Sequence, residues 1–183
     1  MGPRLLVSLL VAGALVAGAA DAGTRGTPAV PANASAAALA GEAQLQTELL
    51  AAINDVRRSH GLRELRPSKE LSLAALGHSQ SMAKLGFFSH EGRDGSPFWA
   101  RIKPRYRPLP GRSWSVAENL VWRSPELSAE QAVELWMDSP PHRKNLLAPS
   151  WEEVGVGAVH AAGAPGVYGG LEVTIVTADF GVR

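Results

Sequence analysis

The chain has 183 residues, enough for one ordinary domain, and its 45% hydrophobic and 19% charged content places it with globular rather than disordered proteins. A formal net charge of +1 gives no argument for nucleic acid or an anionic membrane surface as a partner. Cysteine is absent, which excludes disulfides, thiolate metal sites, a cysteine nucleophile and a lipid-modified N-terminal cysteine.

In chain order, Arg4, the apolar run from Leu5 to Ala20 and the small-residue site Ala20-Asp21-Ala22 predict a secretory signal peptide over 1–22. An uncleaved anchor is the alternative, although the run is short for a full span. Cleavage after Ala22 leaves a net charge of +1, since one Arg and one Asp depart together, and a secreted domain with no stable membrane span. Residues 23–41 are rich in Ala, Gly and Pro and read as a linker. Asn33-Ala34-Ser35 matches a glycosylation acceptor, relevant only in a eukaryotic secretory route.

Leu45, Leu49, Ile53 and Val56 form one apolar stripe and predict a helix from Glu42 to Ser59, ended by His60-Gly61. Pro67-Ser68 opens a second helix to about Gly86, with Leu71, Ala75, His78, Met82 and Leu85 along its apolar face. That placement favours His78 as a buried imidazole with a backbone partner over a ligand. Gly92 to Gly95 is a turn, and Ser96-Pro97 supplies a cap and first position for a short helix through Phe98, Trp99 and Ile102. Residues 105–111 read as surface loop, and Ser113 to Trp122 as a strand. Ser128-Ala129-Glu130-Gln131 is a capping box for a fourth helix that buries Ala132, Val133 and Trp136, exposes Glu130, Glu134 and Asp138, and stops at Pro140-Pro141. Two strands over 154–159 and 171–180, joined by a glycine-rich hairpin loop, close the chain. Helices first and an antiparallel pair last make the fold class α+β.

Three short motifs fail on context. Gly77-His78-Ser79-Gln80-Ser81 lacks the last glycine of a nucleophile elbow and sits within a helix. Ser81-Met82-Ala83-Lys84 has no Ser-Asp-Asn or Lys-Thr-Gly to accompany it. His90-Glu91 lacks a second histidine four residues on, where Asp94 stands. What remains is His90, Glu118 and His142. Two imidazoles and a carboxylate suit zinc when water takes the fourth position, and the same trio without metal suits proton transfer near neutral pH.

Phe87-Phe88-Ser89-His90, Ala117-Glu118-Asn119-Leu120, the run from Trp136 to Leu147 and Val154-Gly155-Val156-Gly157 resemble, in order and spacing, the CAP superfamily of cysteine-rich secretory, antigen 5 and pathogenesis-related 1 proteins. The segment from Ile53 to Leu62 also fits, and the absence of cysteine is similar to the bacterial extracellular branch. The resemblance spans about residues 43 to 183 and implies a domain over 42–183 built as a three-layer α-β-α sandwich with a central antiparallel sheet and a large cleft. It implies that His90, Glu118 and His142 are three members of a cleft tetrad of two His and two Glu. The fourth, acidic position is Ser139 here; Asp138 is turned about 100° away on a regular helix, and Glu134 lies on the same wet side. Three functions follow as expectations. The first is a secreted module whose cleft binds a divalent metal such as zinc through His90 and His142, together with a lipid, sterol or extracellular protein. The second is a metal-dependent hydrolase or peptidase with Glu118 as general base, and the third is a structural cell-envelope domain.

Overall fold

The computed structural model describes residues 32–183. The expected signal peptide over 1–22 and the first part of the expected linker lie outside the described residues. The first helix, α1, spans Ala32–Ser59, so the part of the 23–41 linker from Ala32 onward is helical. Alanine has the highest helix propensity, and Ala-rich sequence continues the helix upstream of its apolar stripe. The stripe packs as expected: Leu49 and Ile53 are fully buried, with Leu45 and Val56 against them.

A short strand β1 (Arg66–Pro67), too brief to leave a periodic signal, leads into α2 (Lys69–Leu85). Asn54 of α1 fixes the approach to β1 by exchanging two hydrogen bonds with the Leu65 backbone. Ser68 caps α2 by accepting from the Leu71 N–H, and Gly86 ends it at φ +68°. Leu71, Ala75, His78 and Met82 are buried as the stripe requires, whereas Leu85 is largely exposed. The short α3 (Phe98–Ile102) has Pro97 as its N-cap, one position later than expected. Strand β2 (Ser115–Arg123) follows, then α4 (Ala129–Asp138) with both halves of its capping box formed. Pro140-Pro141 ends α4 and also opens a further helix, α5 (Pro140–Leu146). Proline in the first turn lacks only an N–H that would have no intrahelical partner there. Strands β3 (Glu153–Ala161) and β4 (Val173–Val182) complete the chain.

The four strands form one sheet in the order β1-β3-β4-β2; β2–β4 and β3–β4 pair antiparallel, and only the two-residue β1 joins parallel. The pleat sorts alternate residues onto opposite faces. Val176, Ala178 and Phe180 of β4, with Val154, Val156 and Ala158 of β3, pack against α1 and α4 around Trp136. Val173 and Ile175 face the other way, onto Met82 and Ala83 of α2. The architecture is therefore the α+β, α-β-α sandwich, with helices on both faces.

Val154-Gly155-Val156-Gly157 has a plain explanation in this arrangement. The valines fill one core, while the glycines let α2 lie directly on β3. A Cβ on Gly155 would stand 2.0 Å from the Ser72 nitrogen, and one on Gly157 2.1 Å from the Leu76 nitrogen.

Candidate functional site

Glu118 sits on β2, an edge strand, directly paired with Asp179 of the central strand β4. By alternation both side chains project toward the α2 and α3 layer, where Leu120 and Ile175 also point. The Glu118 side chain is only 1% exposed, and two donors fill its oxygens. His90 Nδ1 lies 2.8 Å from Oε1, and the Arg101 guanidinium forms an ion pair with Oε2. Arg101 comes from α3, and its other terminal nitrogen donates to the His90 carbonyl at 2.8 Å. One arginine thus clamps both the carboxylate and the loop that presents the imidazole.

That loop is held from behind. Gly86 turns the chain out of α2, its carbonyl accepting from the Val167 N–H. The Tyr168 hydroxyl donates to the Phe87 carbonyl at 2.9 Å. His78 Nε2 donates to the Ser89 carbonyl at 2.8 Å, the backbone partner its place on the stripe suggested. Burial pushes the His78 pKa down to about 3, helped by the neighbouring Arg101 charge, so the ring stays neutral and positions rather than reacts.

His142 lies on α5, which packs against α4 and β2. Asn119 Nδ2 donates to the His142 carbonyl at 3.0 Å, and Asn145 Nδ2 donates to Asn119 Oδ1 at 2.9 Å and to the Glu118 carbonyl at 3.3 Å. Trp136 Nε1 covers the Leu120 carbonyl at 3.0 Å. Alternate carbonyls of the edge strand are thereby capped by side chains of α4 and α5, which protects the edge and seats α5. Arg57, fully buried, ties the far end of α5 to α1 by donating to the Leu146 and Ala148 carbonyls.

The His90 and His142 imidazoles are half-buried. Burial lowers the pKa of His142, and the neighbouring His90 lowers it further. Burial and the Arg101 charge lower that of His90, with Asp179 opposing. Both rings are therefore neutral at pH 7. A neutral His90 that donates from Nδ1 to Glu118 carries its lone pair on Nε2.

Glu134 and Asp138 are exposed, and Ser139 is the junction of α4 and α5 with no side-chain cap bond. No hydrogen bond or ion pair among the described residues joins these three to His90, Glu118 or His142. α4 runs to Asp138 and α5 starts at Pro140, with Ser139 extended between them. The partner that completes the cluster is cationic, Arg101, backed by Asp179. Asp179 is fully buried with neither oxygen hydrogen-bonded, and its pKa is pushed up to about 7 by burial, against the lowering effect of Arg101 and His90. Neither residue was among the sequence candidates. The signal for Asp179 was a lone acid inside the apolar run from Val173 to Phe180; Arg101 was one of several arginines in its segment.

Among the described residues, no group of three or more His, Cys, Asp or Glu is placed to hold one ion. The zinc expectation therefore rests on two imidazoles, one fewer than the three protein ligands of a catalytic zinc centre.

A sequence model of the cysteine-rich secretory protein family, CAP, matches residues 50–180. Two Bacillus subtilis proteins are similar: uncharacterized protein YkwD, 32% identical over 109 residues, and uncharacterized membrane protein YlbC, 29% identical over 112 residues. Those matches cover 59% and 61% of this chain but only 40% and 31% of the relatives, so the chain spans less than half their length. Among solved structures, an extracellular SCP-domain protein from Bacillus anthracis superposes with a TM-score of 0.64 at 22% identity, over 86% of this chain and 45% of that one. A cysteine-rich secretory protein from Staphylococcus aureus gives 0.55 at 18% identity, over 78% and 40%. At these identities the likeness is one of fold.

Proposed function

Since the chain belongs to the cysteine-rich secretory protein (CAP) family, we propose that it is a secreted binding protein whose cleft receives a polar group of a lipid, sterol or extracellular partner on His90 and His142. The observation that carries this reading is the division of labour around Glu118. Its carboxylate is committed to His90 and Arg101, while the half-exposed, neutral His90 turns the lone pair of Nε2 away from that bond. A ligand hydroxyl or amide donor is the natural partner for such an acceptor. Dehydroergosterol, titrated with tryptophan emission as donor, tests one ligand class. The expected result is saturable binding, weakened about fivefold or more by His90→Ala, the cost of roughly one net hydrogen bond. Binding that is absent, or equal in a His90→Ala/His142→Ala double variant, removes the sterol reading.

The hydrolase alternative gives Glu118 the role of general base. Two strong donors already occupy its oxygens and the side chain is closed to solvent, which disfavours proton abstraction from water. Peptide turnover that is abolished by a chelator and by Glu118→Gln would favour that alternative over the binding reading.

A further inference from the structure

The net charge of +1 conceals a segregated charge. Between Arg101 and Arg112 the chain carries five basic residues and no acidic one: Arg101, Lys103, Arg105, Arg107 and Arg112. Arg101 turns inward to Glu118, and Arg112 stands 3.8 Å from Glu152. Lys103, Arg105 and Arg107 are exposed and have no carboxylate partner among the described residues; Arg107 Nε only donates to the Pro104 carbonyl. Apolar surface lies among these cations. Trp99 is 46% exposed and Leu109 41%, and an open groove of about 520 Å³ runs between Trp99, Ala100, Pro104 and Pro108, flanked by Lys103 and Arg107.

From this arrangement we propose that the segment Trp99–Leu109 is a docking surface for a bilayer containing anionic phospholipid. Each half of the surface matches one layer of such a partner. Lys and Arg are drawn to the negative surface potential within a Debye length, and an exposed indole with neighbouring leucine and proline suits the headgroup boundary. A soluble polyanion would use the cations but gives no reason for the apolar groove between them. The surface is distinct from the His90/His142 cleft, although α3 contributes to both: Arg101 faces Glu118, and Trp99 lines the groove. Docking would therefore set the cleft beside the membrane.

The test is co-sedimentation with phosphatidylglycerol and with phosphatidylcholine vesicles. It uses protein recovered from a secreting host, with the N-terminus fixed by mass spectrometry and identical in wild type and variants. Wild type is expected to partition onto phosphatidylglycerol well above phosphatidylcholine, and less so as salt rises. A basic residue near an anionic surface is worth about fivefold in partitioning, so Lys103→Gln/Arg105→Gln/Arg107→Gln lowers binding on the order of a hundredfold. Arg105→Lys/Arg107→Lys retains it, and Trp99→Ser lowers it severalfold. Unchanged thermal midpoints are expected because these heads are solvent-exposed. Equal binding to the two lipids, or a triple variant that binds like wild type, overturns the proposal. So does a Trp99→Ser variant that binds like wild type while the triple variant is impaired; that outcome assigns the cations to a soluble polyanion.

Discussion

Burial without a hydrogen-bond partner makes Asp179 the least comfortable charge in the fold. An ordinary carboxyl near 3.8 in the unfolded chain becomes one of about 7 in the folded state, because desolvation outweighs the attraction of Arg101 and His90. The sign of its effect follows. Between those two values the folded state retains a proton that the unfolded state has released, so stability falls as pH rises through this window and stays lower above it. The shift corresponds to a contribution on the order of 4 kcal/mol. His78 acts in the opposite sense. Its ring is neutral in the folded state down to about pH 3, so it costs stability as pH falls below 6.5. Because the two oppose each other, the wild-type profile hides both, and a variant is needed to isolate one. Asp179→Asn keeps the size and removes the charge. It is expected to be more stable than wild type at pH 8, with the advantage shrinking toward pH 4; denaturant midpoints at the two pH values measure it. A larger advantage at pH 4 than at pH 8 would show that burial does not hold this carboxyl up.

At the scale of elements, the decisive contact is α2 on β3, and two glycines make it possible. The backbone of α2 occupies the space a Cβ at Gly155 or Gly157 would need, and backbone cannot rotate aside as a side chain does. Either alanine substitution is expected to destabilise by at least the upper part of the usual overpacking range, about 1–3 kcal/mol, and to loosen the Gly86–His90 loop that α2 delivers. Gly77, exposed within α2 itself, has no atom within 4 Å of where a Cβ would stand, and Gly77→Ala is expected to stabilise by about 0.5–1 kcal/mol through helix propensity alone. Urea unfolding of the three variants measures both signs. Which elements were readable in advance follows from the length of each signal. The α1 stripe through Leu49 and Ile53, and the Ser128 capping box, repeat or reinforce a pattern and were found. Arg66-Pro67 is two residues long and becomes a strand only because β3 offers an edge to it. Pro140-Pro141 is equally suited to ending one helix and starting another, and tertiary seating of α5 by Asn119 and Asn145 decides between them.

For the whole molecule, the candidate site gathers on one edge strand. The loop after α2 carries His90, α3 carries Arg101, β4 carries Asp179 directly across from Glu118, and α5 carries His142. His90, Glu118 and His142 became candidates because they stand in ordered sequence motifs. Arg101 and Asp179 did not, because their significance lies in cross-strand register and in one side chain turning inward from a basic segment whose other members face solvent. Glu118 and Asp179 are directly paired on β2 and β4, an arrangement of like charges that is destabilising unless a cation intervenes. Arg101 is that cation; burial lowers its pKa to about 10, so it remains charged at neutral pH. Removing it is therefore expected to do more than delete one ion pair. Arg101→Met leaves Glu118 and Asp179 buried without their counter-charge, at a cost of about 3–5 kcal/mol at pH 8. The loss of the cation raises the affinity of Asp179 for a proton, so the penalty is relieved as pH falls, and the gap to wild type narrows by pH 5. Combining Arg101→Met with Asp179→Asn removes one of the two stranded acids. The double variant is expected to be more stable at pH 8 than Arg101→Met alone, by more than Asp179→Asn gains in the wild-type background. Four unfolding free energies at pH 8 give that coupling directly. A coupling of zero would mean that Arg101 serves Glu118 alone and that Asp179 is buried for packing.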